Sequence, residues 1–362
     1  MSNRIFNFSA GPCTLPLPAL ENAQAEFVDY QGAGMSLIEM SHRGEHYDKV
    51  HYEAIAGIRD VLTVSDSHEV LFIQGGATLQ FAMVPLNLMI DNKTAEFLNT
   101  GTWVKKALAD AERLGPTRIL WTGEADNFTR MPANDEYQVE DDAAYVHICG
   151  NETIGGIEYH EYPDTGAVPL VSDMSSHIMS RPIEWDKLDL AFAGAQKNLG
   201  PAGMALVIIH KTLLEKCRDD LPAYLSYKIH AGKDSLYNTP PVFAIYMMKL
   251  TIDWVRSQGG LAEMEKRALA RSGALYDTID RSDGWYRCPV DKASRSRMNV
   301  CFRLPTEELE AKFIAEALAA NFSGLKGHRS VGGCRASMYN AMPVEGAERL
   351  AEFMLKFKQK NA

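Results

Sequence analysis

The sequence predicts an α/β fold, with a large domain on a seven-stranded, mostly parallel sheet and a smaller α+β domain after it. Seven short apolar or β-rich runs recur between helix-like stretches from about residue 69 to 210. Several of them lack polar alternation, the pattern of strands buried on both faces. At 362 residues the chain also exceeds what one compact core accommodates.

In order, the runs are EVLFIQ (69–74), AEFLN (95–99), RILW (118–121), AYVHI (144–148), VPLVSD (168–173), LDLAFAG (188–194) and ALVIIH (205–210). The gaps leave room for helical crossovers, except that the last pair is spaced for a hairpin. Asn238-Thr239-Pro240-Pro241 then starts a long helix by cap and proline logic, running to about 255. The break at Gln258-Gly259-Gly260 divides a large domain, 16–258, from a small one, 259–362, with segment 1–15 expected to pack near the latter. The small domain reads as helices at about 260–281 and 306–321, the strand-like NVCFRL, and a last helix at about 344–359. In that helix Leu350, Phe353, Met354 and Phe357 recur at helical spacing, as core residues do.

Composition removes several classes of function. Apolar residues make up 46% and charged residues 23%, and the longest apolar runs are strand-sized, too short to span a bilayer. A net charge of −10 opposes general nucleic-acid binding, which rests on neutralising phosphates. The six cysteines, at 13, 149, 217, 288, 301 and 334, form no C-x-x-C pair and read as reduced thiols. With no basic, apolar leader in MSNRIFNFSAGP, a cytoplasmic protein is expected. Positive charge gathers locally in KGHRSVGGCR at 326–335.

Three features fall at the carboxyl ends of predicted strands, where open α/β sheets hold ligands. In QGGATLQF, Gly75 and Gly76 permit a sharp turn into a helix whose exposed N–H groups favour an anion, with Thr78 adding a hydroxyl. Taken alone, this is equally an ordinary strand-to-helix turn. Asp173 closes VPLVSD as either a helix cap or a carboxylate facing the crevice. Lys197, in AGAQKNLGPAG, follows a buried strand among small residues, where desolvation lowers an amine's pKa; a surface-loop lysine is the alternative. Anion cradle, acid and amine together are what one pyridoxal phosphate needs.

These residues, with FNFSAGP, SHRG (41–44), QFAMVPLNL (80–88), NETIGG (151–156), NTPP (238–241), RSRMNV (295–300) and GHRSVGGCRASMYNAMP (327–343), resemble the phosphoserine aminotransferases over nearly the whole chain. That family consists of fold-type-I enzymes of the class V aminotransferase group. The resemblance implies that Lys197 holds pyridoxal 5'-phosphate as a Schiff base and shuttles the proton, while Asp173 partners the pyridinium nitrogen. It implies a stacked ring at Trp103, a hydrogen bond from Thr153 near the phenolic oxygen, and phosphate contacts at Ala77, Thr78 and Gln196. Asn238 and Thr239 match contacts from a second subunit, implying a homodimer with active sites at the interface. Arg335 matches the arginine that holds the α-carboxylate. His42, Arg43, His328 and Arg329 match the cluster that takes the substrate phosphate or the glutamate side chain, for which arginine forks are suited. Where some members have glycine-arginine, this chain has Ala77-Thr78, and Ala10 stands where some have a second serine.

The implied reaction moves the amino group of L-glutamate to 3-phosphohydroxypyruvate, giving O-phospho-L-serine and 2-oxoglutarate in serine biosynthesis. In bacterial members the same site also aminates a phosphorylated hydroxythreonine precursor in vitamin B6 synthesis. A desulfurase on the same fold needs a mobile cysteine, and Cys334 in Gly-Gly-Cys-Arg is the one in the substrate motif. A phospho-ligand binding module without catalysis is opposed by Lys197, Asp173 and Arg335 occurring together. No metal is expected, since His42 and His46 lack further ligands nearby.

Overall fold

The computed structural model describes residues 4–362. Its main sheet has seven strands: β1 (His68–Gln74), β2 (Ala95–Asn99), β3 (Thr117–Thr122), β4 (Tyr145–Cys149), β5 (Leu170–Asp173), β6 (Leu190–Gly194) and β7 (Met204–His210). Their order across the sheet is β1-β7-β6-β5-β4-β2-β3. Only β7 runs against its neighbours, pairing antiparallel with β6 and β1, and the other pairs are parallel. The expected hairpin is therefore β6–β7.

The apolar runs form strands because both faces of the sheet are covered. Val70, Phe72, Ala191, Ala193, Leu206 and Ile208 enter one core, while Leu71, Ile73, Leu190, Phe192, Val207 and Ile209 enter a second. Alternate side chains point to opposite faces, so a continuous apolar run is needed to fill both layers. The first layer is covered partly by the helices Glu45–Val61 and Val242–Ser257, the second partly by Gly76–Leu88 and Thr102–Ala111. β3 lies at the sheet edge and is only part-buried.

The helix after Asn238-Thr239-Pro240-Pro241 runs Val242–Ser257, and Gly259, at φ 102°, precedes the helix Gly260–Asp280. A third core joins Phe8 to Leu275, Phe302, Phe313, Leu350, Met354 and Phe357, with Phe353 packed against it. Two strands, β8 (Asn299–Phe302) and β9 (Cys334–Ser337), pair antiparallel, and Phe6–Asn7 pairs parallel with Phe322–Ser323. Sequence patterning missed that second pair, because two-residue strands carry no period. Among the described residues no helix is long and apolar enough to cross a membrane.

Phe313 is fully buried and meets four other aromatic rings of this third core edge-on. Phe313→Ala is expected to lower stability by about 3–5 kcal/mol, read by urea denaturation.

Candidate active site

β1, β5 and β6 end, and β7 begins, around a cavity of about 470 Å³, a size that suits a small ligand. Lys197 stands at its base, 7% exposed, and donates from Nζ to Thr153 Oγ1 at 2.7 Å. Nζ also lies 5.6 Å from the centre of the Trp103 ring. Burial pulls the amine's pKa below its usual value, against the opposing attraction of Asp173. That favours the neutral, nucleophilic form.

Asp173 ends β5 and is 4% exposed. Burial raises its pKa, while two hydrogen bonds from Ser175 and the charge of Lys197 lower it. The Ser175 hydroxyl donates to Oδ1 at 2.6 Å and the Ser175 N–H at 2.9 Å. Ser175 Oγ in turn accepts from the Gly194 N–H at 2.9 Å, which ties the ends of β5 and β6. Asp173 is thus a bonded carboxylate at the cavity wall.

Opposite lies the start of the helix Gly76–Leu88. Gly75 has φ 97° and Gly76 φ 63°, the left-handed region that favours glycine. A Cβ on Gly194 would come within 3.3 Å of the Ala77 nitrogen, so its absence lets the strand approach the first turn. N–H groups there have no intrahelical acceptor, and Ala77 and Thr78 line the cavity with Gln196.

The segment 151–153 joins the remaining parts. The Thr153 carbonyl accepts from Arg335 Nη1 at 3.2 Å, and Arg335 sits on β9 opposite Cys301. Glu152 Oε1 accepts from the Trp103 and Val104 N–H groups at 3.0 and 3.2 Å. Burial pushes the Glu152 carboxyl up to about 7 against those bonds. His328 lines the mouth, its pKa lowered by desolvation and then by Arg335, Arg329 and Lys106.

Nine of the sequence-predicted residues therefore line one cavity: Ala77, Thr78, Trp103, Thr153, Asp173, Gln196, Lys197, His328 and Arg335. His42, Arg43, Asn238, Thr239 and Arg329 are not among the lining residues of this chain's cavity. The segment 238–239 lies beyond the end of β1, where Gln74 Nε2 donates to the Thr239 carbonyl at 2.9 Å. Cys334 is 2% exposed and does not line the cavity, against the mobile thiol a desulfurase requires. Among the described residues no three His, Cys, Asp or Glu side chains gather as a metal site. Sequence reasoning missed Glu152 and Ser175 as functional positions. For Glu152 no local signal exists, since its partner lies 49 residues away. For Ser175, the Asp-x-Ser spacing of 173–175 is the one available clue.

A cofactor with an anionic group, an aromatic ring and an aldehyde fits these features. The helix start offers N–H donors, Trp103 a flat ring whose buried Nε1 lacks a partner, and Lys197 an amine between them. Fold and site define a pyridoxal-phosphate-dependent aminotransferase, and residues 5–350 match the family model for class-V aminotransferases. The chain is 49% identical over 359 residues to the phosphoserine aminotransferase of Geobacillus kaustophilus, covering 99% of each chain. It is 51% identical over 357 residues to that of Laribacter hongkongensis, again covering 99% of each. The solved phosphoserine aminotransferase of Bacillus circulans subsp. alkalophilus superposes with a TM-score of 0.98 at 48% identity, over 100% of both chains. The pyridoxal-phosphate-bound enzyme of Trichomonas vaginalis does so at 0.93 and 40% identity, over 97% of this chain and 100% of its own. The chain belongs to the phosphoserine aminotransferase family, and its cofactor is pyridoxal phosphate.

Removing the Ser175 hydroxyl takes away a bond that stabilises ionised Asp173. Ser175→Ala is expected to move the Asp173 carboxyl titration to higher pH, read by carbon NMR on the apoprotein. An unmoved titration would contradict the role given to this bond.

Proposed function

We propose that this protein transfers the amino group of L-glutamate to 3-phosphohydroxypyruvate, reversibly, giving O-phospho-L-serine and 2-oxoglutarate. One observation carries the reading. Thr153 accepts from the Lys197 amine through its hydroxyl and from the Arg335 guanidinium through its carbonyl. A reacting amine and a carboxylate-binding fork are thereby both held on one residue.

Pyridoxal phosphate, when bound, supplies a conjugated ring that withdraws electrons from the substrate Cα. Lys197 binds the cofactor and then moves a proton at Cα from its place beside Thr153. Asp173 offers a carboxylate to a protonated ring nitrogen, Trp103 covers the ring, and Ala77, Thr78 and Gln196 receive the phosphate. Arg335 orients the α-carboxylate. His328 and Arg329, with His42 and Arg43, take the distal anion. Desolvation first, and then the surrounding cations, lower the pKa of His328, and a dianionic phosphate opposes the pull of those cations. The same selection for a distal phosphate admits the phosphorylated hydroxythreonine precursor of vitamin B6.

The protein acts as a homodimer in this reading. Phe27, Val28, Met35, Ile38 and Tyr52 are exposed apolar side chains in the region of the chain that carries His42 and Arg43, and Tyr237 is exposed beside Asn238. His42 Nε2 is buried without a hydrogen-bond partner. We assign these four polar residues, His42, Arg43, Asn238 and Thr239, to the cavity of the second subunit. A cytoplasmic location suits six free cysteines and the lack, among the described residues, of a helix able to cross a membrane.

An assay with glutamate and 3-phosphohydroxypyruvate is expected to show turnover that Lys197→Ala abolishes. Turnover of unphosphorylated hydroxypyruvate at the same kcat/KM would refute the distal-anion cluster. Arg335→Gln is expected to cost about 10- to 100-fold in kcat/KM for both glutamate and the keto acid, since both carry the α-carboxylate. Sedimentation is expected to give a dimer, and a monomer of full activity would contradict a shared site.

A further inference from the structure

Glu152 is a buried carboxylate, 1% exposed, that the reaction above leaves unused. It meets backbone donors rather than a cation. Oε1 takes the N–H groups of Trp103 and Val104, and Oε2 lies 3.3 Å from the Trp103 nitrogen. These belong to the first turn of the helix Thr102–Ala111, whose N-cap Gly101 has no side chain to satisfy them. The space Glu152 fills exists because residue 101 is glycine. A Cβ there would stand 2.6 Å from Glu152 Cδ. Gly101, at φ 162°, has extended backbone, so the requirement is steric rather than conformational.

The capped turn is the one that carries Trp103 into the cavity. The next residue after Glu152 is Thr153, which holds Lys197. An acceptor oxygen at a helix start is stabilising, and one oxygen shared between two N–H groups pins the direction of the turn. We propose that Glu152 is a positioning residue for the transamination: it fixes the first turn of the helix Thr102–Ala111 and so sets the orientation of the Trp103 ring over the cofactor. The inference rests on the assignment of Trp103 as the covering ring.

The test is a double-mutant cycle with Glu152→Ala and Trp103→Ala, read on two quantities besides activity. One is the Kd of pyridoxal phosphate for the apoenzyme, and the other is the circular dichroism induced in the cofactor band. Glu152→Ala is expected to weaken cofactor binding about five- to tenfold, the scale of a lost helix cap, and to diminish the induced signal. The double variant is expected to bind no worse than Trp103→Ala alone, because Glu152 acts through that ring. Glu152→Gln, which keeps the Oε1 acceptor, is expected to restore both readings. Gly101→Ala is expected to reproduce Glu152→Ala, since its methyl displaces the carboxylate without removing its charge.

A folded Glu152→Ala protein with wild-type Kd and induced signal overturns the inference, as does a double variant whose losses multiply. Should Glu152→Ala not fold, unchanged values in Gly101→Ala overturn it instead. An unimpaired Trp103→Ala sinks the covering-ring assignment and the inference with it, whereas an impaired Trp103→Ala beside an unimpaired Glu152→Ala sinks the inference alone.

Discussion

Asn151, Glu152 and Thr153 are three consecutive buried side chains, each bonded to a different part of the molecule, and the geometry of the site depends on them. Asn151 Nδ2 donates to Ser176 Oγ at 2.7 Å and to Asn299 Oδ1 at 2.8 Å, and its Oδ1 accepts from Ser296 at 2.5 Å. Glu152 holds the helix of Trp103, and Thr153 holds Lys197 and Arg335. In a low-dielectric interior an orphaned polar group costs more than a bond gains, so each of these links resists being exchanged for another. One short segment thereby sets where amine, ring and guanidinium stand relative to one another.

The same segment fastens the C-terminal region to the main sheet. Asn299 pairs in register with Ser337 and donates to its hydroxyl at 2.9 Å, two residues beyond Arg335 on β9. A second fastening joins Asn340 N–H to Asn198 Oδ1 at 2.9 Å, directly after Lys197. The guanidinium and the amine thus approach the cavity from two different cores through elements that are each bonded to the other. The Arg335 guanidinium is thereby held in place beforehand, and a ligand that meets it spends little on ordering it.

Burial acts on Lys197 and Asp173 in opposite senses. It lowers the Lys197 amine and raises the Asp173 carboxyl, and their mutual attraction works against both shifts. At Asp173 burial is the larger influence and the carboxyl is raised, while Ser175 limits the rise by supplying donors that an ionised carboxylate uses fully. Lys197 has the Thr153 hydroxyl, the Trp103 ring and the charge of Asp173 to support a cation, yet burial outweighs them and its pKa falls. Burial thus favours the neutral, reactive form of the amine, while the acid keeps two donors that favour its ionised form.

The strands of the sheet were legible in the sequence because burial on both faces demands continuous apolar runs, and the observed carboxyl ends of β2, β5 and β6 coincide with those of AEFLN, VPLVSD and LDLAFAG. Lys197, Asp173 and the Gly75-Gly76 turn were legible for a related reason: each closes such a run, where a ligand must sit. Family likeness at 327–343 supplied Arg335 and His328. The two-residue pairing of Phe6–Asn7 with Phe322–Ser323 was not legible, nor was the capping of the Trp103 helix by Glu152, because both join segments far apart in the chain. By itself the sequence marked the strands and, at their ends, Lys197, Asp173 and the Gly75-Gly76 turn as candidates, since residue type and place after a buried run follow from local pattern. Only the tertiary structure decided how they are aimed, because hydrogen bonds across long separations set direction, and local pattern holds no record of them.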